Sequence, residues 1–232
     1  MITIRRSEER GHFNFGWLDT RHSFSFGEYH DPEQMGYRSL RVLNEDHIGP
    51  GTGFPSHPHR EMEIITIVLS GSIEHADSLG GGGILKPGEV QVMSAGPGIV
   101  HSEANPSQTE PLHLYQIWIT PGEHGVQSRY EQRPFPDNGR HCRWQRVVSP
   151  DGRDGSIFIN QDAHLFLCDL DADRSVVHSI EKGRGGWLQV VKGEVELRGE
   201  RLGAGDGAAI DDPGELEVAA TENSQMMLFD LA

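Results

Sequence analysis

Two short segments hold the residues whose types and spacing have the clearest chemical meaning. In GTGFPSHPHREME, His57 and His59 are two residues apart, and in the downstream segment GPGIVHSE, His101 and Glu103 show the same spacing. Residues two apart on a β-strand project from the same face. Two antiparallel strands that face each other across a barrel would therefore bring three imidazoles and one carboxylate together. This donor set suits a divalent transition metal that keeps coordination positions open for a substrate.

The alternative interpretation is a pair of surface histidines at a turn, with a third histidine near a carboxylate by accident. The chain contains 13 histidines, so one isolated pair would carry little weight. Two same-face pairs inside two glycine-bounded predicted strands favour the metal site. Pro58, between the first two histidines, has no backbone N–H to donate, and we expect its strand to lie at a sheet edge or to contain a bulge.

The elements that must position these residues are predicted to be short strands joined by tight turns. Glycine makes up 29 of the 232 residues, nearly twice the usual ~7%. Turn residues interrupt the apolar strips roughly every 8–12 residues, which excludes a helical bundle or coiled coil and predicts an all-β barrel or sandwich. The predicted strands include Ser23–Phe26, Leu40–Leu43, Glu63–Leu69, Ser72–His75, Val90–Met93 and Leu112–Ile119.

The second half of the chain repeats the first half in weaker form. Trp187–Leu197 resembles Ile64–Glu74, because each reads as strand, glycine turn and strand. Such a repeat predicts a duplicated β-domain, with two tandem barrels of roughly 100 residues each. The Pro- and Gly-containing segment after residue 133 is the predicted linker. The expected domains are an N-terminal metal-binding barrel at 1–133, a linker at 134–144 and a C-terminal barrel at 145–232.

The second barrel lacks the metal ligands of the first. When the two halves are aligned on their turn glycines, the positions of the four candidate ligands hold Ser179, Glu181, Val218 and Ala220. One possible ligand among four positions does not make a metal site. We therefore predict that the C-terminal barrel is metal-free and structural.

The charge of the chain excludes some classes of binding partner. The chain has 20 basic and 35 acidic residues, a formal net charge of −15, which argues against nucleic acid and anionic membranes as partners. No apolar run approaches the ~18 residues of a membrane span. The start, MITIRRSEERG, has no apolar stretch after its arginines, so we expect a cytoplasmic protein without a signal peptide. Cys142 and Cys168 match no disulfide or metal pattern and are expected to be reduced thiols.

The two metal-site segments resemble the motifs of the cupin superfamily. Gly51, His57, His59, Glu63 and Gly71 fit the first cupin motif, and GIVH ending at His101 fits the end of the second. More narrowly, HPHREMEIITIVLSG, SIEHADSLG, SAGPGIVHSE and RHSFSFGEYHDP are similar to the pirin family, over most of residues 1–120.

The pirin resemblance implies a bicupin with one metal in the N-terminal barrel, most often Fe(II). Carried onto this chain, the ligands are His57, His59, His101 and Glu103, and Glu63 supports the site or the fold instead of binding the ion. The donor set itself also accepts Mn, Ni, Cu or Zn.

For function, the resemblance implies a quercetin 2,3-dioxygenase type of enzyme, which opens the central ring of a flavonol with O2 and releases carbon monoxide. Glu103 would then serve both as a ligand and as the base for the flavonol 3-hydroxyl. An alternative from another class is a metal-bearing, redox-sensitive regulator that binds a transcription factor or a metabolic enzyme and cleaves quercetin only as a side activity. A cupin isomerase or storage-like barrel is a third reading, which the pirin-like motifs disfavour.

Overall fold

In the computed structural model, which describes residues 2–232, nearly every regular element is a β-strand. The strands are β1 (Ile2–Arg5), β2 (Gly11–Asn14), β3 (Leu18–His22), β4 (Leu40–Ile48), β5 (Gly53–His59), β6 (Glu63–Ser70), β7 (Ile73–Asp77), β8 (Gly82–Leu85), β9 (Glu89–Ser94), β10 (Ile99–Ala104), β11 (Leu112–Ile119), β12 (Arg129–Pro134), β13 (Gln145–Ser149), β14 (Ile157–Phe158), β15 (Ala163–Leu170), β16 (Ser175–Ile180), β17 (Gly185–Lys192), β18 (Glu194–Leu197), β19 (Glu200–Gly203), β20 (Gly207–Ile210), β21 (Gly214–Ala220) and β22 (Ser224–Leu231). Within the described residues, the helical elements are three short 3-10 turns, at Ser7–Glu9, Asp137–Gly139 and Arg153–Gly155. The prediction of an all-β fold with few short helices is confirmed.

The chain forms two compact units. One comprises Gly11–Phe135 with Ile157–Gln161, and the other comprises residues 2–10, Pro136–Ser156 and Asp162–Ala232. β1 belongs to the second unit, where it pairs antiparallel with β20. The predicted limits at residues 133 and 145 stay a prediction.

The first unit is built from two antiparallel sheets. One runs in the order β12-β9-β6-β11-β4-β3-β2, and the other in the order β5-β10-β7-β8. Its buried apolar residues include one cluster around Leu112 and Leu114 and another around Ile64 and Met93. Polar side chains are buried in the same unit, among them Thr66, Gln91 and Glu103. Buried polar groups need hydrogen-bond partners, so the interior of this unit contains polar contacts as well as apolar packing.

The second unit has the same plan with a different interior. Its sheets contain the orders β1-β20-β17-β22-β15-β13 and β16-β21-β18-β19. Seventeen buried residues form one apolar cluster, of which Leu188, Val195, Leu216 and Leu228 are each at most 1% exposed. Most of this interior is therefore a packed apolar core, beside a few buried polar side chains such as Gln189.

The internal repeat is visible in equivalent turns. Gly71 follows β6 with φ +78°, and Gly193 follows β17 with φ +81°. A Cβ at Gly71 would lie 2.7 Å from the carbonyl oxygen of Pro111, and one at Gly193 would lie 2.5 Å from that of Asn223. Both turns therefore require glycine for conformation and for space, which confirms the sequence alignment of these two segments.

The strand predicted at Ser23–Phe26 is wrong. These residues are bends with an isolated bridge between Phe26 and Tyr29. The backbone N–H of Ser25 donates to the carbonyl of Gln34, and the Ser25 hydroxyl donates to the carbonyl of Asp31. Local hydrogen bonds from serine compete with a strand ladder, so polar–apolar alternation here does not produce a strand.

Among the described residues, the structure has no helix that is long and apolar enough to cross a membrane.

Candidate metal centre

Two paired strands position the predicted histidines. β5 is the edge strand of its sheet, and it pairs antiparallel with β10 so that His57 lies opposite His101 and His59 lies opposite Ile99. The pairing shifts register between His101 and Glu103. The expectation that Pro58 lies in an edge strand is confirmed, because β5 has a neighbour on one side only.

The three histidines converge. One ring nitrogen from each of His57, His59 and His101 lies within 4.8 Å of the other two. The Nε2 atoms of His57 and His101 are 3.0 Å apart, and the His59 ring centroid is 4.7 Å from each of the other two. His101 is 1% exposed, whereas His57 and His59 are half-buried. The three histidines named from the sequence therefore lie close enough together to bind one ion.

Glu103 belongs to a second, overlapping group. Its carboxylate lies with ring nitrogens of His101 and His75 in a set whose atoms are again all within 4.8 Å of one another. The Gln116 amide donates to both carboxylate oxygens, at 3.2 and 3.0 Å. The Thr66 hydroxyl donates to the amide oxygen of Gln116 at 3.3 Å, which keeps the amide nitrogen turned toward Glu103. Glu103 is thus held beside His101 by an oriented donor.

Burial sets the protonation of these groups. It lowers the pKa of His59 to about 4 and the pKa of His101 to about 2, with a further contribution from the neighbouring histidines. Burial raises the pKa of the Glu103 carboxyl to about 7 and that of Asp46 to about 6. Charge is therefore unfavourable on either kind of group, since desolvation penalises imidazolium and carboxylate alike. Neutral imidazoles retain a lone pair for a metal, and a cation would stabilise the buried carboxylates.

The residues present fit a divalent transition metal. Two nitrogens each about 2.1 Å from one ion and at right angles to each other would be about 3.0 Å apart, and the Nε2 atoms of His57 and His101 are separated by 3.0 Å. Imidazole with one carboxylate suits Fe, Ni, Cu or Zn. The assignment of His57, His59, His101 and Glu103 as the ligand set stays a prediction.

Sequence reasoning missed two residues that contact this group. His75 lies 3.3 Å from His101 through their Nδ1 atoms, and Gln116 binds Glu103. His75 and Asp77 in SIEHADSLG have the same two-residue spacing as His57 and His59, and this spacing is a signal that would have found His75. A single glutamine in the apolar strand β11 gives no comparable signal.

Glu63, a residue of the first cupin motif, and Trp118 on β11 have contacts of their own. Glu63, 0% exposed, accepts a hydrogen bond of 2.7 Å from the Ser94 hydroxyl, and burial raises its pKa. It is not part of the imidazole groups found among residues 2–232. Trp118 packs edge-on against the His59 ring at 4.8 Å, so it supports a candidate ligand directly.

In the second unit, of the four positions that align with the candidate ligands, two are exposed and two are buried in the core. Ser179 and Glu181 are exposed, while Val218 and Ala220 are buried in the apolar cluster. The exposure of Glu181 agrees with the expectation that a lone carboxylate stays in water. The metal-free character of this unit stays a prediction.

Comparison with known proteins identifies the relatives. Residues 3–119 match the family model named Pirin, and residues 146–231 match one for the quercetinase C-terminal cupin domain. The chain is 50% identical to quercetin 2,3-dioxygenase of Escherichia coli (strain K12) over 232 residues, covering 100% of this chain and 99% of the relative. It is also 40% identical to a pirin-like protein of Caulobacter vibrioides over 233 residues, covering 100% of both.

Solved structures agree along the whole chain. The crystal structure of YhhW from Escherichia coli matches with a TM-score of 0.97 and 50% identity, covering 100% of this chain and 98% of that one. A second structure, bacterial pirin YhhW in complex with nickel(II), has a TM-score of 0.95 and 51% identity, covering 100% and 99%. The two-barrel prediction is confirmed, and the chain belongs to the pirin family of cupin proteins.

Proposed function

We propose that this protein is a metal-dependent dioxygenase of the quercetin 2,3-dioxygenase type, which cleaves flavonols such as quercetin with O2. The observation that carries the proposal is the convergence of three imidazoles, from His57, His59 and His101, beside the buried Glu103 carboxyl. The name of the Escherichia coli relative supports this activity.

The proposed cofactor is one divalent ion per chain, foremost Fe(II), held by His57, His59, His101 and Glu103. The nickel(II) complex of the relative supports a divalent ion in this fold. When bound, the metal would supply a Lewis acid for the flavonol hydroxyl and a path for charge between substrate and O2. Three neutral imidazoles leave the charge of the ion unchanged, and one carboxylate reduces it by one.

The chain's own contribution to the reaction is proton transfer by Glu103. In the metal-free site burial raises the pKa of this carboxyl to about 7, and a bound cation would favour its carboxylate form, which can accept a proton. The Gln116 amide donates to both of its oxygens and fixes its orientation. Glu103 would accept the proton of the flavonol 3-hydroxyl, so that the substrate reacts as the electron-rich anion.

The test is turnover by protein loaded with Fe(II) under anaerobic conditions. After quercetin and O2 are added, we expect bleaching of the visible flavonol absorption with matching O2 consumption. The Glu103→Gln variant should lose about 10²- to 10⁴-fold in rate while the histidines keep metal, because the amide cannot take the proton. Metal content, measured on the same samples, separates loss of the base from loss of the ion.

Two controls make the assay decisive. Glu74→Gln changes an exposed glutamate on the neighbouring strand β7 and should turn over like the wild type. The His57→Ala, His59→Ala double variant should fold but retain no metal. Turnover by the loaded wild type no faster than that of free Fe(II) would refute the enzyme proposal and favour the regulator. Wild-type rates in Glu103→Gln would keep the enzyme and discard the base.

The remaining expectations accompany this proposal. The substrates would be a flavonol and O2, without nucleic acid or membrane as partners, and the location would be the cytoplasm. The expectation about partners follows from the acidic net charge, and all of these statements stay predictions.

A further inference from the structure

A buried histidine and aspartate lie behind His101. The Nδ1 atom of His101, on the other side of the ring from the Nε2 that faces His57, is 3.3 Å from Nδ1 of His75. The Nε2 atom of His75 is 3.4 Å from Oδ2 of Asp77, and the two side chains are 0% and 1% exposed. The Tyr130 ring stacks on His75 at 4.8 Å. His101 therefore contacts a candidate ligand through one nitrogen and this buried pair through the other.

Asp77 determines where His75 carries its hydrogen. The Oδ1 atom of Asp77 accepts backbone N–H groups from Leu79 at 2.8 Å and Gly81 at 2.9 Å, which fixes the orientation of the carboxylate. A carboxylate oxygen accepts hydrogen bonds, so the hydrogen of His75 lies on Nε2 and its Nδ1 is an acceptor. The Gln91 amide, 3.5 Å from the same Nδ1, is consistent with this arrangement as a donor.

The same reasoning then fixes His101. Two ring nitrogens that both lack hydrogen would repel at 3.3 Å, so His101 carries its hydrogen on Nδ1 and donates to His75. Its Nε2 is left with a lone pair directed at His57. On the opposite side, Nδ1–H of His57 donates to the carbonyl of Pro55 at 2.8 Å, so a His57 ring with one hydrogen has its lone pair on Nε2. Two lone pairs thus meet across 3.0 Å, an arrangement that is repulsive without an ion and that a shared cation satisfies.

We propose that Asp77 and His75 are a positioning relay that sets the tautomer of His101, and hence whether the site binds a metal or closes on itself. The inference rests on the proposed role of His101 as a ligand. In the opposite tautomer, the hydrogen of His101 would lie between the two Nε2 atoms, and a histidine–histidine hydrogen bond would occupy the place of the ion. Asp77 prevents this state, because it would bring a nitrogen without hydrogen against the carboxylate. Partners of this kind typically change metal affinity by 10- to 100-fold.

Asp77→Asn tests the relay with little change in shape. The backbone N–H groups of Leu79 and Gly81 would keep the amide oxygen, so the amide NH2 would face His75 and reverse both tautomers. We expect Ni²⁺ affinity, measured by competition with a chelator, to fall about 10- to 100-fold. In the metal-free protein, ¹⁵N NMR of the histidine rings should show His101 protonated on Nδ1 in the wild type and on Nε2 in the variant.

Two further variants test whether the loss of Ni²⁺ affinity is specific to the Asp77–His75 pair. Glu45→Gln breaks another histidine–carboxylate pair of the same unit, with His113 at 3.0 Å, and should bind Ni²⁺ like the wild type. His75→Phe keeps an aromatic ring against Tyr130 but removes the acceptor, and should also weaken binding. The relay is refuted if wild-type His101 carries its hydrogen on Nε2, or if Asp77→Asn and His75→Phe bind Ni²⁺ with unchanged affinity. If the wild type itself binds no Ni²⁺, the metal proposal fails, and the nitrogen shifts still decide the tautomer.

Discussion

Glu103→Gln should change how the stability of the metal-free protein depends on pH. Burial raises the pKa of the Glu103 carboxyl from an ordinary 4.5 to about 7 in the folded protein. Between these two pH values the unfolded chain has lost the proton that the folded chain still holds. The unfolded state therefore binds fewer protons, and the free energy of unfolding falls by about 1.4 kcal/mol for each pH unit.

The size of the effect follows from the shift. About 2.5 pH units correspond to a loss of about 3 kcal/mol in the free energy of unfolding from pH 4.5 to pH 7. The stability that Glu103 gives below pH 4.5 is thus lost as the pH rises through 7. Glutamine has no proton to release, so the free energy of unfolding of Glu103→Gln should lack this decline. Relative to the wild type, the variant should become about 3 kcal/mol more stable between pH 4.5 and pH 7.

Urea unfolding in the presence of a chelator, at several pH values between 4.5 and 7.5, measures this difference. Glu74→Gln is the matched control, because its side chain is exposed to water on β7, and its curve should parallel that of the wild type. Parallel curves for Glu103→Gln and the wild type would refute the reasoning, since they would mean that folding does not make the Glu103 proton harder to remove.

Two further predictions concern packing and reactivity. Gly53→Ala should lower the free energy of unfolding in urea by about 1–3 kcal/mol and weaken Ni²⁺ binding, because a Cβ there would lie 2.3 Å from the carbonyl oxygen of Glu103. Gly203→Ala is the control: open space surrounds Gly203, so this variant should keep wild-type stability and Ni²⁺ affinity. Burial raises the pKa of the Cys168 thiol to about 12, so iodoacetamide should label only the half-buried Cys142 in the native protein and both cysteines in urea. Mass spectrometry detects the labelled residues, and labelling of Cys168 in the native protein would contradict its burial.

The fold and the histidine cluster were predictable because their signals are local or repeated. Turn glycines such as Gly71 and Gly193 mark positions that only glycine tolerates, and the same-face spacing of His57 and His59 survives folding because strands alternate their side chains. Glu103 was a candidate through the same two-residue spacing to His101, and the family resemblance then implied that it, and not Glu63, is the carboxylate ligand.

The rest depends on which strands become neighbours. His75 contacts His101 because β7 pairs with β10, a register that the sequence does not display. Gln116 reaches Glu103 from β11, in the other sheet of the unit. The pairing of β1 with β20, about 200 residues apart, is likewise a product of tertiary structure, because strands of four residues are too short to show a distinctive pattern.

The edge position of β5 has a consequence for how an ion enters and leaves. Edge strands with one hydrogen-bonded neighbour open at lower free energy than strands held on both sides. His57 and His59 are on β5, whereas His101 is on β10, which pairs with both β5 and β7. Fraying of a single strand would therefore separate two of the candidate ligands from the third while the rest of the unit stays folded. Loading and release would be local events, with rates set by the opening of that strand and not by global unfolding.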